Sequence, residues 1–495
     1  MDANFSKSPF HQREDGFVRV KSYQVLTGLL IGFIGYSFSG LLYFSFSPAG
    51  FNIKRLLLTL FFVAVLIVPL VSGAFRQKLY FRIIETPLHL RGLFGGVIVL
   101  GFISSLLSSF PERGLQEVGL YLLLTLAVLA ISISDIDEKK LVYGLVFIGV
   151  AIGLYSLGYG FKYLIYLDYG IHSWPYSIYQ FSNPRALNHA QGWLIPLFAL
   201  LPLCTLPSTE ILRKIRWLPL VAMYFFMLVS GTRGLPLALM MAFAVAVWLF
   251  GGLIRPLALI HAKAFMVALP VYLVFILLIP FLVNNSLPLD HSFYRESYDN
   301  GRFSLWLMAW EAIKSNGVFG LGPQHFVILT TDGPASPHNS LLQWACEWGV
   351  PATLGLTWIV ICCGYSYQKN MKQRIRSEKL TSKQQWVQVA VFCSVMTAAL
   401  HSMISGVITT PLSQMLMILV IGVAIRFHYK ENVAMVLSLP GGISLFRIAV
   451  GVITGALVAI YFVIFHGDFF LDTYSLYYPS TMMAPRFWLN GAFHM

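Results

Sequence analysis

The sequence predicts an all-α polytopic integral membrane protein with about 12–13 transmembrane helices and a large periplasmic loop. Hydrophobic residues fill 57% of the 495 positions and charged residues 11%. Mean hydropathy is +0.71, far from the mix of a soluble globular domain. Apolar windows of roughly 20 residues, the length that crosses a hydrocarbon core as a helix, follow one another along the chain. The longest polar interruption includes the loop over residues 285–339, and the chain has no room for a large soluble domain.

Taken in order, residues 1–22 are polar and mixed in charge. A full-length span follows them, so they read as a cytoplasmic segment rather than a cleaved signal peptide. Nine spans are expected within 23–284, near 23–46, 56–75, 92–110, 118–134, 141–160, 188–206, 217–231, 235–259 and 264–283. Four more fill 340–465, near 340–365, 386–408, 411–427 and 446–465, and residues 466–495 form a periplasmic tail.

The net charge of +13 invites a nucleic-acid partner, but most Lys and Arg lie in short connections, where they set orientation. No nucleic-acid partner is therefore expected. Arg76, Lys78, Arg82 and Arg91, then Lys139 and Lys140, then Arg213, Lys214 and Arg216, then the run Lys369 to Lys383 all fall on one side. That side reads as cytoplasmic. The five cysteines have neither zinc nor disulfide spacing. Asp135-Ile136-Asp137 reads as a solvated loop beside Lys139 and Lys140.

The unusual polar residues gather on the opposite side. Within the large loop, Phe303, Trp306, Trp310 and Ile313 recur at helical spacing, while Ser304, Glu311, Lys314 and Ser315 take the other face. This predicts an amphipathic helix on the membrane surface. Gly317, Gly320, Gly322 and Pro323 break it, and Ser336-Pro337 reads as a helix start that puts His338 in a first turn. There the helix dipole disfavours an imidazolium and leaves the ring available as a base. His338 reads equally well as an interfacial polar residue satisfied by a carbonyl. Asn339, Gln343 and Glu347 follow at intervals of four as a polar stripe.

Arg233 lies in Ser230-Gly231-Thr232-Arg233-Gly234, a tight break between spans. Arg302 follows Gly301, and Arg185 precedes His189 by one helical turn. Each arginine alone reads as a snorkelling anchor. Three on one face suit a pyrophosphate, which they would bind and stabilise as it leaves. His401-Ser402 is a weaker candidate, read first as a core histidine hydrogen-bonded between helices. No Walker loop, dinucleotide fingerprint or zinc-type histidine pair appears, so no metal and no cofactor are expected.

These residues resemble the bacterial O-antigen ligases, with the related O-antigen polymerases and protein O-oligosaccharyltransferases. The likeness rests on Ser230 to Gly234, on Gly301-Arg302 with Trp306, on Gly320-Leu321-Gly322, and on Pro337-His338-Asn339 with Glu347-Trp348-Gly349. It covers best residues 181–351, with His401-Ser402 as a further fit. The resemblance implies an inverting, metal-independent transferase of the inner membrane, similar in fold to C-type glycosyltransferases. Its donor would be a glycan on undecaprenyl pyrophosphate. Its acceptor would be a lipid A core, another glycan or a pilin, bound at the periplasmic face among membrane lipids.

The resemblance assigns Arg233, Arg302 and His338 to catalysis, and Arg185, His189, Asn339, Glu347 and His401 to substrate binding. Ligases are usually described with twelve spans, and an odd count is more reminiscent of the protein O-oligosaccharyltransferases. The competing classes are a transporter of an anionic lipid-linked substrate, for which no inverted repeat is found, and a structural assembly subunit.

Overall fold

The computed structural model describes residues 11–39, 49–170, 178, 180–181, 184–204, 215–284, 301–330 and 334–429, with side chains from Gln24 onward. The expected span 446–465, the tail 466–495, and residues 285–300 of the large loop lie outside the described residues. All regular elements described are helical. Among the described residues, seven stretches are long and apolar enough to cross a membrane: Gly50–Val71, Leu88–Leu107, Pro111–Ser132, Glu138–Asp168, Gly234–Val283, Val350–Arg376 and Pro411–His428. The chain is a multi-pass, all-α membrane protein.

Expected spans missing from that set have physical reasons. Gln24–Phe38 and Leu218–Val229 are shorter apolar helices, and the windows at 235–259 and 264–283 fall within the single apolar stretch Gly234–Val283. Other windows carry helices with buried polar groups, such as Asn188, His189 and Gln191, or Gln388, Ser394 and His401.

We label the helices α1 (His11–Phe38), α2 (Ala49–Val71), α3 (Gly73–Glu85), α4 (Leu88–Leu107), α5 (Pro111–Ser132), α6 (Glu138–Asp168), α7 (Pro184–Phe198) and α8 (Leu218–Val229). They continue with α9 (Gly234–Phe250), α10 (Arg255–Tyr272), α11 (Arg302–Asn316), α12 (Ser340–Trp348), α13 (Val350–Arg376), α14 (Ser382–Ser402) and α15 (Pro411–His428). The starts are set locally. Proline opens α5, α7 and α15, and Asp137 caps α6 by accepting the Lys140 N–H at 2.8 Å. Thr381 and Gln384 form a capping box on α14.

The core centres on α7, in which every residue from Ala186 to Phe198 is buried. It packs against α8, α9, α14 and α15. Its polar groups are satisfied between helices rather than by water. Gln191 Nε2 donates to the Met223 carbonyl at 2.7 Å, Trp193 Nε1 to Ser413 Oγ at 2.8 Å, and Ser394 Oγ to the Trp193 carbonyl at 2.6 Å. These bonds fix α7 in rotation where apolar packing alone would let it turn.

The basic connections converge at one end. Asp135 lies 3.8 Å from Lys78 and 3.9 Å from Arg426. Arg374 Nη2 and Asn370 Nδ2 each donate to the His428 carbonyl at 2.8 Å. Asp135 is thus an ion-pair partner and Asp137 a cap.

The expected continuous span at 340–365 is two helices, α12 and α13, divided at Gly349 (φ 87°). The break frees the last carbonyls of α12, and a glycine-rich segment takes them up. The Leu321 N–H donates to the Cys346 carbonyl at 2.8 Å and the Gly322 N–H to the Glu347 carbonyl at 3.0 Å, while Val350 N–H donates back to Gly317 at 2.8 Å. Ser104 Oγ adds a bond to the Glu347 carbonyl at 2.9 Å. A Cβ on Gly320 would lie 2.4 Å from the Glu347 oxygen, and one on Gly349 2.1 Å from the Val318 oxygen.

Gly349→Ala is expected to destabilise the protein by about 2–4 kcal/mol through clash and strain at positive φ. Gly364→Ala, where nothing lies within 4 Å, should leave stability unchanged or slightly raised. Thermal unfolding of both variants in detergent would check this.

Candidate functional site

Three segments distant in sequence meet at the end opposite the basic connections. Helix α11 follows Gly301, whose φ of 72° suits glycine, and Arg302 takes its first position. The face of α11 turned to the protein is Leu305, Ala309 and Ala312, packed with Phe326 and Cys346. Of the expected apolar face, Phe303 and Trp310 are exposed, and Trp306 and Ile313 are half-buried. Small alanines at the contact let the helix approach closely, and a small residue carries little weight in an apolar-periodicity reading.

Trp306 Nε1 donates to the Pro337 carbonyl at 3.0 Å. His338 comes next with φ of 55°, a left-handed conformation that costs a side-chain-bearing residue roughly 1–2 kcal/mol. Asn339, not Ser336, caps α12, accepting the Leu342 N–H at 3.0 Å. His338 therefore precedes the helix instead of lying in its first turn. Asparagine caps at least as well as serine, and Trp306 holds the Pro337 carbonyl outside the helix.

His338 is half-buried, and its Nδ1 has no hydrogen-bond partner among the described residues. Burial first, then the guanidinium of Arg185 and that of Arg302, lower its pKa from 6.5 to about 4. The ring is thus neutral near pH 7 and stands within electrostatic reach of two guanidiniums, one from the start of α7 and one from the start of α11. Together they offer an anion two cations, and a hydroxyl a neutral imidazole.

Arg233 stands at the rim. It is exposed at the start of α9, and a Cβ on the neighbouring Gly234 would lie 3.6 Å from Cδ2 of His401.

Beneath the site lies a pair of buried histidines. The rings of His189 and His401 meet edge to face at 5.7 Å. His189 Nε2 lies 2.8 Å from Ser405 Oγ and its Nδ1 3.3 Å from Thr410 Oγ1, so both nitrogens are occupied by the 403–410 loop. His401 Nδ1 has no hydrogen-bond partner among the described residues. Arg302 is near enough for its charge to act on His401.

Glu347 is fully buried. Its Oε1 accepts the Phe326 N–H at 3.0 Å and its Oε2 accepts from Gln343 Nε2 at 3.3 Å. The carboxylate ties the 325–329 turn to α12, and its oxygens face protein rather than an open cavity. Trp344 and Trp348 stack at 4.4 Å and seat the same helix against Tyr121 and Gly101.

Lys54 and Arg55, on the first turns of α2, escaped the sequence reading. Both are buried. Arg55 donates to Gln414 Oε1 and, at 3.0 Å, to the Thr409 carbonyl. Lys54 donates to the Gln180 carbonyl and lies 3.7 Å from the centroid of the Phe181 ring. Arg55 braces the loop that carries Ser405 and Thr410, and Lys54 holds Gln180 and Phe181, which precede α7 in the chain. Two adjacent cations beside the start of an apolar window were the available signal.

Fold and site define an all-helical membrane protein with a cationic, histidine-bearing site at one end. Residues 218–357 match the family described as O-Antigen ligase, which supports a likeness to that superfamily over this stretch. The matched stretch holds Arg233, Arg302, Trp306, His338, Asn339 and Glu347. Arg185, His189 and His401 lie outside it, and the fold brings them alongside. No curated protein matches the chain.

The depressed pKa of His338 has a consequence for stability. The unfolded chain takes up a proton near pH 6.5 and the folded site only near pH 4. The contribution is therefore full above pH 6.5 and is lost as pH falls toward 4. Thermal midpoints of wild type and His338→Asn, followed across that range, should fall more steeply with acid in wild type.

Proposed function

We propose that the protein transfers a glycan from undecaprenyl pyrophosphate to a lipid A-core acceptor at the periplasmic face of the inner membrane. The observation that carries this reading is the meeting of His338, Arg185 and Arg302 at the end away from the basic connections. By the positive-inside rule those connections are cytoplasmic, which turns the site outward.

In this reaction the bond between the anomeric carbon and the pyrophosphate oxygen breaks, and a bond from the acceptor oxygen to that carbon forms. Attack from the opposite side inverts the anomeric centre. Arg302 and Arg185 hold the pyrophosphate and stabilise the charge that grows on it, with Arg233 at the rim as a third contact. His338 accepts a hydrogen bond from the acceptor hydroxyl and takes its proton as the new bond forms. No step is assigned to a metal or cofactor.

The two functions are linked electrostatically. The guanidiniums that suppress the imidazolium are the groups a pyrophosphate would neutralise. Donor binding therefore raises the basicity of His338 when the acceptor needs it. Asn339 caps the helix behind His338, and Glu347, His189 and His401 support the site from within the bundle.

Transfer assays on membranes, with an undecaprenyl-pyrophosphate glycan and separate lipid A-core, glycan and pilin acceptors, test the reading. Wild type is expected to glycosylate lipid A core. His338→Ala and Arg302→Ala should lower transfer at least about 100-fold at equal protein level. Transfer to a glycan or to pilin alone would make it a polymerase or a protein O-oligosaccharyltransferase. Full activity in both variants would overturn the site, and donor movement without transfer would favour a transporter.

A further inference from the structure

We propose that Trp306 is a positioning residue that sets the placement of His338 relative to Arg302 through the bond from its indole N–H to the Pro337 carbonyl. The proposal rests on the glycan-transfer reading above. Trp306 is four residues after Arg302 on α11, so the two share a face of one helix. Its Nε1 reaches the Pro337 oxygen at 3.0 Å.

That oxygen belongs to the peptide plane whose nitrogen is His338's own, so holding it fixes the plane about which His338 φ is set. The restraint matters because at φ 55° His338 holds a left-handed conformation that is uncommon for a side-chain-bearing residue, although histidine adopts it more readily than most. On the other side, Asn339 Oδ1 is engaged with Leu342 N–H at 3.0 Å, and Ser340 Oγ with the Ser402 carbonyl at 3.0 Å. His338 is clamped between these anchors and Trp306. Of the three, the Trp306 bond is made by the helix that also carries Arg302. Any shift of α11 therefore moves the guanidinium and the imidazole together.

The test uses full-length protein reconstituted in vesicles, with Trp306→Phe and a variant carrying 3-benzothienylalanine at 306. The second keeps the bicyclic shape and replaces the N–H with sulfur. Both are expected to lower kcat roughly ten-fold with little change in acceptor KM. The acid limb of kcat/KM for the donor, which reports the free enzyme and lies near pH 4 in wild type, should move toward 6.5 as His338 leaves its buried seat beside the arginines. A structural role alone would not move that limb.

Wild-type kcat and an unmoved limb in the benzothienylalanine variant would overturn the proposal, and that variant decides alone if Trp306→Phe does not fold. His338→Ala is measured alongside. If it transfers at the wild-type rate, the assignment of His338 fails and the positioning role with it, whereas no transfer by the wild type is the outcome that sinks the glycan-transfer reading. If it is inactive while the Trp306 variants behave as wild type, only the positioning role fails.

Discussion

A helix that stops inside a packed bundle must pass its last carbonyls to something other than water. In this protein α12 stops at Gly349, and the backbone N–H groups of Leu321 and Gly322, with the Ser104 hydroxyl, take up the carbonyls of Cys346 and Glu347. Much of the candidate site follows from that arrangement. The short helix can begin at Ser340, with His338 at its mouth, because its far end is satisfied by the segment that follows α11. The same pairing holds α11 against α12 and so keeps Arg302 near His338. Glycines at 320 and 349 are required where the two backbones touch, and at 322 where the Ser108 side chain closes on the segment.

Much of the fold was legible in the sequence. Apolar windows of spanning length identified the membrane class, and charge bias placed the basic connections together, as the ion pairs of Asp135 now reflect. The division of α12 from α13 was missed although Gly349 and Pro351 stand at it, because the apolar residues on either side read as one window and the partners that make a break tolerable lie in another segment. The helix start was misplaced by the same local view. Ser336-Pro337 is a good start signal, but the Pro337 carbonyl is taken by Trp306, thirty-one residues away. The protein-facing side of α11 was missed because two of its contact residues are alanines.

For the site, residue types and their common side could be read, but not their partners. Arg185, Arg302 and His338 stood out as polar groups in apolar surroundings, and the structure brings them within electrostatic reach of one another. Glu347 stood out for the same reason, yet its carboxylate serves the Phe326 turn. Nothing local distinguishes a carboxylate that meets a ligand from one that meets a backbone N–H. Lys54 and Arg55 show the converse, since charges beside a span look like anchors until the loops they hold are placed.

The central claim is that guanidiniums and an imidazole at one end of the bundle cleave a glycan from a lipid pyrophosphate and deliver it to a hydroxyl. The most direct measurement is the release of undecaprenyl pyrophosphate by the purified, reconstituted protein when acceptor is added to donor-loaded vesicles. The account predicts release equimolar with glycan transferred, and almost none from His338→Ala despite retained donor binding. Release at the wild-type rate from His338→Ala, or transfer of intact donor across the bilayer without bond cleavage, would contradict it.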